Sequence, residues 1–258
     1  MTATFDYSGR SVFVAGGTSG INLGIAEAFA AAGAQVGVGS RSQEKVDAAV
    51  ARLGDARPAF GYVFDVRDTE AVTGALSGFA ETVGSIDVVV SGAAGNFPAL
   101  ARDISPNGFK AVVDIDLIGT YHVMKAAYPH MRRPGGSLIN ISAPQAQVAM
   151  AQQIHVCAAK AGVDMVTRCL AIEWGSEGLR VNGVCPGPID GTEGMARLAP
   201  TPERRAQAAA SVPLGRMGVP ADVAAVCLFL GSDAASYVNG AIVPADGGWL
   251  LSGAPMGL

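Results

Sequence analysis

Short apolar runs alternate along the chain with longer stretches in which apolar residues recur at helical spacing. Seven runs have the length and composition of strands, and they lie at residues 12–15, 35–39, 59–64, 86–90, 137–141, 180–184 and 241–243. Helices are predicted near residues 21–32, 43–52, 68–83, 108–132, 151–176 and 220–231. This alternation predicts an α/β fold, in which a doubly wound sheet of about seven parallel strands carries helices on both faces.

The pattern contains no internal repeat and no low-complexity linker, so we expect residues 1–258 to form a single domain. The fourth run includes Asp87-Val88-Val89-Val90, whose consecutive apolar residues are typical of a strand buried on both faces. The one long irregular stretch, 186–219, is rich in proline and glycine and has a short helical piece predicted at 202–210. Such segments in compact domains are usually functional, so we expect a substrate lid there.

Composition excludes several classes of protein. Hydrophobic residues make up 50% of the 258 and charged residues only 16%, which excludes a disordered chain. The formal net charge of −4 argues against nucleic-acid binding. No apolar stretch approaches the roughly 20 residues of a spanning helix, so no membrane insertion is expected. The four cysteines are widely spaced and no secretory leader is visible. We therefore expect reduced core cysteines, no metal site and a cytoplasmic protein.

A glycine-rich turn follows the first predicted strand and opens a helix near Ile21. Glycines at such a turn let the backbone approach a pyrophosphate, and the helix N-terminus supplies N–H donors. The alternative is a plain connection between a strand and a helix, but the order of strand, loop and helix favours a dinucleotide site. The residues predicted to bind the dinucleotide here are Gly16, Thr18, Ser19, Gly20 and Ile21.

The end of the second predicted strand bears on which dinucleotide is bound. A carboxylate there would bind the ribose 2′-hydroxyl of NAD, whereas this chain has Gly39-Ser40-Arg41-Ser42. A guanidinium flanked by hydroxyls suits a 2′-phosphate, because its hydrogen bonds to phosphate are planar and charge-assisted. Arg41 could instead begin a solvated helix. The missing carboxylate favours NADP(H), with Ser40 and Arg41 as binding residues.

These features resemble the short-chain dehydrogenase/reductase family over nearly the whole chain. Its motifs appear in order as the loop at 16–20, Asp65-Val66, Ser91-Gly92-Ala93-Ala94-Gly95, Lys160, and Pro186-Gly187-Pro188-Ile189. The resemblance implies a seven-stranded Rossmann sheet, nicotinamide chemistry and a homotetramer. It also implies that Asp65 contacts adenine, that Lys160 binds the nicotinamide ribose, and that Ile189 and Thr192 lie near the carboxamide. The remaining cofactor residues implied by these motifs are Val66, Ala93, Pro186 and Gly187.

Three of the four usual catalytic residues of that family are absent. The family's set is Asn, Ser, Tyr and Lys, in which the lysine lowers the pKa of the tyrosine. Here Val156 takes the tyrosine position, Ala143 the serine position and Asp116 the asparagine position, so only Lys160 remains. Asn22 is a further departure, since the family prefers a third glycine there, and we expect it to shift cofactor packing.

This combination of losses resembles the peroxisomal type of 2,4-dienoyl-CoA reductase within the family. The likeness is carried by Ala93-Ala94-Gly95-Asn96-Phe97, Asp114-Ile115-Asp116, His155, Glu173-Trp174-Gly175, Gly191-Thr192-Glu193-Gly194 and Asp246-Gly247-Gly248. It implies an NADPH-dependent reductase of a conjugated C=C bond in an acyl-CoA-type thioester. Reduction of a conjugated thioester places charge on a remote oxygen, so it needs no tyrosine beside the nicotinamide.

Asp116, Lys160 and His155 are the catalytic candidates. Asp116 is either the proton source, directly or through water, or a structural partner of Lys160 or of a backbone group. Burial raises its pKa and the lysine lowers it, and the sequence leaves the balance open. His155 lies five positions, roughly 140°, from Lys160 on a helix, so a packed structural histidine is the simpler interpretation.

Two other functions stay open from the sequence. One is an atypical enzyme acting on a carbonyl or hydroxyl group, and the other is a catalytically silent NADP(H)-binding protein. Within the expected lid, an acyl channel could be lined by Met195, Leu198, Leu214 and Met217.

Overall fold

The computed structural model describes residues 4–54 and 58–252. Seven parallel strands form one sheet in the order β3-β2-β1-β4-β5-β6-β7. They are β1 (Ser11–Ala15), β2 (Gln35–Ser40), β3 (Ala59–Val63), β4 (Val88–Ser91), β5 (Ser137–Ile141), β6 (Arg180–Pro186) and β7 (Ile242–Ala245). The predicted α/β class and the parallel sheet are confirmed, and each strand lies within two residues of its predicted ends.

Nine α-helices connect and flank the strands within the described residues. They are α1 (Gly20–Ala31), α2 (Gln43–Leu53), α3 (Thr69–Val83), α4 (Pro106–Val113), α5 (Gly119–Ala127), α6 (Ile154–Gly175), α7 (Glu193–Leu198), α8 (Pro202–Ala210) and α9 (Pro220–Gly231). The helical segment predicted near 108–132 is present as an unbroken run over 106–130, but it is not one regular α-helix. A π-helical turn, Asp114–Ile118, separates α4 from α5, and a 3₁₀ turn, Tyr128–His130, follows α5.

Residues on β1 show how the sheet is buried on both faces. Val12 and Val14 belong to a core packed beneath α1 and α9, whereas Phe13 and Ala15 belong to a second core beneath α3 and α5. All four are fully buried, because neighbouring residues of a strand point to opposite faces. Burial of each large side chain contributes about 1.5–3 kcal/mol, which ties helices from both layers to this central strand.

The strand order reverses between β1 and β4, since β2 and β3 extend to one side of β1 and β5 to β7 extend beyond β4. In open α/β sheets a ligand-binding crevice lies outside the carboxyl ends of the strands at such a switch point. The loop after β1 and the segment after β4 therefore face a common space. The irregular stretch between β6 and α9 contains α7 and α8 near that same edge.

The cysteines only partly match the expectation of core residues. Cys185 and Cys227 are buried, Cys157 is half-buried, and Cys169 is exposed on α6. Helical phase explains the exposure of Cys169, since it lies on the outer side of a helix whose inner side packs on the sheet. Within residues 4–54 and 58–252, no helix has the length and apolar character needed to cross a membrane.

Candidate active site

Two adjoining cavities lie at the switch point, with volumes of about 300 Å³ and about 370 Å³. Asn22, Gly92 and Ala94 line both, so the cavities meet at these residues. The predicted cofactor residues in the first cavity are Gly16, Thr18, Ser19, Ser40, Arg41, Asp65, Val66 and Ala93. Those in the second cavity are Ile21, Lys160, Pro186, Gly187, Ile189 and Thr192. Gly20 lines neither cavity and is the first residue of α1.

The loop after β1 holds its backbone close to the segment after β4. Gly16 has φ +79°, and a Cβ there would lie 2.9 Å from the backbone nitrogen of Ala93. Its N–H donates to Gly39 O at 2.8 Å, which ties the loop to β2. Ser19 is the N-cap of α1, but its side chain makes no capping hydrogen bond. The N–H groups of the first turn and the positive end of the helix dipole therefore suit an anion such as a pyrophosphate.

Polar and basic side chains surround the far end of the first cavity. Arg41, Ser42 and Lys45 line it together with Ser40, whose buried Oγ has no hydrogen-bond partner within the described residues. Arg67 donates to Asp65 through Nη2 at 2.6 Å and through Nε at 3.0 Å. The hydrogen bond from Arg67 lowers the pKa of Asp65, so that carboxylate stays ionised. Lys45 was missed in the sequence, although its spacing of four from Arg41 was a usable signal.

The π-helical turn carries Asp116 to the boundary of the second cavity. Its side chain is 1% exposed, and Oδ1 accepts a hydrogen bond from Gly95 N at 2.6 Å. The other oxygen, Oδ2, lies 3.7 Å from Lys160 Nζ and has no hydrogen-bond partner among the residues described. A structural role for Asp116 predicts contacts with a backbone group and with Lys160, and both contacts are present. Oδ2 nevertheless has no hydrogen-bond partner within the described residues and is left for another partner.

Burial raises the pKa of Asp116 above its ordinary value, and the Lys160 ammonium only partly opposes this. The question that the sequence left open is thereby answered in favour of desolvation. A carboxyl group with a raised pKa holds its proton to higher pH, which is a property of carboxylic acids that donate protons.

Lys160 lies on α6 and is 5% exposed. Its Nζ donates to Ile141 O at the end of β5, at 2.9 Å. Lys160 lines the second cavity together with Ala143 and with Val156, which lies one turn earlier on α6. Neither Val156 nor Ala143 carries a hydroxyl group. The two positions at which the family carries its tyrosine and serine therefore have apolar side chains in this chain.

His155 does not line either cavity. The helix α6 begins at Ile154, so His155 lies inside it and turns away from Lys160, as the spacing predicts. It is fully buried, its ring centroid lies 4.5 Å from that of Phe97, and neither ring nitrogen has a hydrogen-bond partner within the described residues. The geometry gives His155 a packing contact and no direct access to the cavity.

The expected acyl-lining residues divide between different places. Met195 and Leu198, on α7, line the second cavity with Thr192. Leu214 instead lines a third cavity, of about 470 Å³, and Met217 lines none of the three. The expectation for Leu214 and Met217 is therefore wrong, because the turn after α8 carries them past the second cavity.

A group of amide side chains at the second cavity was not foreseen. Gln145 Nε2 donates to Gln153 Oε1 at 2.7 Å, and Asn96 Nδ2 donates to the same oxygen at 3.4 Å. All three residues line the cavity. They come from three separate segments, so no spacing rule could have grouped them.

Comparison with known proteins agrees with this geometry. A family model described as enoyl-(acyl carrier protein) reductase matches residues 15–250. Peroxisomal 2,4-dienoyl-CoA reductase, (3E)-enoyl-CoA-producing, of Danio rerio is 41% identical over 249 residues, covering 95% of this chain and 83% of the relative. Probable 2,4-dienoyl-CoA reductase, (2E)-enoyl-CoA-producing, of Bacillus subtilis is 38% identical over 246 residues, covering 93% of this chain and 97% of the relative.

Solved structures give the same class. A short chain dehydrogenase from Bacillus anthracis has a TM-score of 0.85 and 36% identity, covering 96% of this chain and 99% of that one. A protein from Beutenbergia cavernae, whose crystal structure contains NADP at low occupancy, has a TM-score of 0.90 and 31% identity, covering 96% and 100%. The chain belongs to the short-chain dehydrogenase/reductase family of oxidoreductases, whose members use NAD(P)(H). Within it, the chain is similar to relatives named 2,4-dienoyl-CoA reductase.

Proposed function

We propose that this chain is an NADPH-dependent reductase of a conjugated C=C bond in an unsaturated acyl thioester, specifically a 2,4-dienoyl-CoA. The observation that carries the proposal is the second cavity, which has a buried Asp116 carboxyl with a raised pKa and an apolar Val156 in the tyrosine position. The names of the relatives from Danio rerio and Bacillus subtilis support the same substrate class.

The first cavity fits the adenosine half of NADPH. The uncapped start of α1 suits the pyrophosphate, and Arg41 and Lys45 offer two positive charges near the end of β2, where a 2′-phosphate would be recognised. The buried Ser40 Oγ, without a partner in the described chain, is a further group that a phosphate oxygen would satisfy. NADPH, when bound, supplies the hydride.

The second cavity fits the acyl part of the substrate. Met150, Met195, Leu198 and Trp249 supply large apolar surface, which favours an unsaturated hydrocarbon chain. The Lys160 ammonium and the Asn96 amide lie in the same cavity and supply donors for the thioester oxygen. Donors fixed in a water-poor site stabilise the negative charge that develops there.

Asp116 holds the proton in this proposal. The raised pKa favours the protonated carboxyl, and Oδ2 is the oxygen that no described group occupies. Gly95 N fixes Oδ1, so the proton is carried at Oδ2 for transfer to a substrate carbon directly or through water. Lys160 then stabilises the carboxylate that is left.

The test follows NADPH oxidation at 340 nm with 2,4-hexadienoyl-CoA and, separately, with a 3-ketoacyl-CoA. Turnover of the dienoyl-CoA and not of the ketone is expected, with loss of roughly 10²-fold or more in kcat for Asp116→Asn. The matched control is Asp114→Asn, because Asp114 pairs with Lys110 and lines neither cavity. Turnover of the ketone alone would identify a carbonyl reductase, and tight NADPH binding without turnover would identify a silent binding protein.

We also propose a homotetramer. Ile172 is 82% exposed on α6 and Tyr237 is fully exposed, and apolar side chains this open favour burial between subunits. Light scattering coupled to gel filtration measures the mass, and a monomer would contradict the proposal.

A further inference from the structure

Asn22 occupies the boundary between the two cavities. It lies in the first turn of α1, where the family's loop carries a third glycine, and it lines both the first and the second cavity. A ligand that extends from one cavity into the other must pass this side chain.

The space for Asn22 is provided by Gly92 at the end of β4. A Cβ added to Gly92 would lie 2.5 Å from Asn22 Cγ and 2.6 Å from Nδ2, closer than real Cβ atoms approach. Any other residue at 92 would therefore displace the amide. The asparagine and the glycine, 70 residues apart, form a matched pair.

The backbone fixes the orientation of the Asn22 amide, whose two polar atoms both lie beside Gly92. Asn22 Nδ2 donates a hydrogen bond to Gly92 O at 2.7 Å. Rotation of the amide by 180° would put its oxygen against that carbonyl, so two acceptors would face each other. The nitrogen therefore stays on Gly92, and Oδ1 is the atom left over. Oδ1 is buried and has no hydrogen-bond partner within residues 4–54 and 58–252.

We propose that Asn22 Oδ1 accepts a hydrogen bond from a ribose hydroxyl of the nicotinamide half of the bound dinucleotide. The inference rests on the dinucleotide binding proposed above. An acceptor needs a donor, and a pyrophosphate has none. The nicotinamide ribose is the part of a dinucleotide that follows the pyrophosphate, and it carries hydroxyl donors. Its place at the junction of the two cavities matches the place of Asn22.

The test compares two ligands by isothermal titration calorimetry. NADPH contains the nicotinamide ribose, whereas adenosine 2′,5′-bisphosphate contains only the adenosine half. For Asn22→Ala we expect the Kd of NADPH to rise roughly 5- to 10-fold, as loss of one hydrogen bond implies, and the Kd of the bisphosphate to change less than about 2-fold. Asn22→Gly, the residue typical of the family, should behave in the same way and guards against a folding defect. Ser19→Ala is the control for the phosphate loop, since Ser19 lines only the first cavity, and it should affect both ligands alike.

An equal rise in the Kd of both ligands for Asn22→Ala would overturn the inference, because Asn22 would then act only through the phosphate loop after β1. Unchanged NADPH binding would overturn it as well. If the wild-type protein prefers NADH, the same comparison is made with NADH and 5′-AMP. A wild-type protein that binds NADPH but reduces no dienoyl-CoA would contradict the proposed reaction alone. A folded wild-type protein that binds no dinucleotide would contradict both.

Discussion

The substitution Asp116→Asn separates two opposing effects on stability. Asparagine keeps an oxygen for the hydrogen bond from Gly95 N and removes only the negative charge. Loss of that charge leaves the Lys160 ammonium, whose Nζ lies 3.7 Å from Oδ2, without its countercharge. The sign of the change in the free energy of unfolding therefore reports which effect is larger at this site.

The attraction between the two charges is about 4.5 kcal/mol at 3.7 Å and an effective dielectric constant of 20. Burial of an ion costs several kcal/mol, and here both side chains are almost fully buried. The pKa of Asp116 is raised, which means that burial outweighs both the lysine and the Gly95 hydrogen bond. Replacing the carboxylate with a neutral amide should therefore raise stability at pH 8, by on the order of 1 kcal/mol.

The dependence of stability on pH gives a second test of the sign of the change in the free energy of unfolding. Because the folded-state pKa of Asp116 lies above the unfolded value, its stabilising contribution is complete below about pH 3.9 and is lost as pH rises through the folded-state pKa. The advantage of Asp116→Asn should therefore be largest at pH 8 and shrink towards pH 4. Urea unfolding followed by tryptophan fluorescence at pH 4.5, 6 and 8 measures it.

Asp114→Asn serves as the control, since its pair with Lys110 is partly exposed and worth only about 0.3–0.5 kcal/mol. A loss of 3–5 kcal/mol for Asp116→Asn at pH 8, as for a broken buried ion pair, would refute the reasoning. Such a loss would mean that Lys160 outweighs desolvation, and Asp116 would then be a poor proton donor.

Three further outcomes are expected. Arg41→Ala should raise the KM for NADPH roughly 10- to 100-fold and leave that for NADH nearly unchanged, because the proposed role of the guanidinium is to bind the 2′-phosphate; equal effects on both KM values would contradict this role. Gly92→Ala should destabilise the protein by about 1–3 kcal/mol through overlap with Asn22, and should be nearly harmless when combined with Asn22→Gly; additive thermal shifts would argue against the matched pair. Burial raises the pKa of Cys185 to about 12, so Cys185 should react with Ellman's reagent at pH 8 only after unfolding; reaction in the folded protein would contradict its burial.

The central strands β1 and β4 were predictable because they are buried on both faces and therefore read as nearly uninterrupted apolar runs. The change of helix type within 106–130 was not predictable. Apolar periodicity senses a repeat of 3.6 residues, and one π-helical turn at Asp114–Ile118 changes the phase without a change in composition. That turn carries Asp116, the proton source in the proposed reaction. The homotetramer and the cytoplasmic location stay predictions.

The candidate site was predictable where each residue follows directly from a strand. Gly16, Arg41 and Asp65 come from loops at the carboxyl ends of parallel strands, and these ends meet at one edge of the sheet. The fit of Asn22 to Gly92 was not predictable, since it depends on a contact between β4 and α1 that no local pattern encodes. For Leu214, hydrophobic character alone could not decide between two neighbouring cavities.

The apolar residue at 156 and the raised pKa of Asp116 both bear on the chemistry of the second cavity. Val156 lines the second cavity with a side chain that has no hydrogen-bonding group, at the position where the family carries a tyrosine hydroxyl. Asp116 Oδ2 lies 3.7 Å from the Lys160 ammonium and has no hydrogen-bond partner within the described residues, and desolvation of the carboxylate outweighs the interactions that oppose it. The Asp116 carboxyl therefore keeps its proton to higher pH than an ordinary aspartic acid, in a cavity that lacks the family's tyrosine.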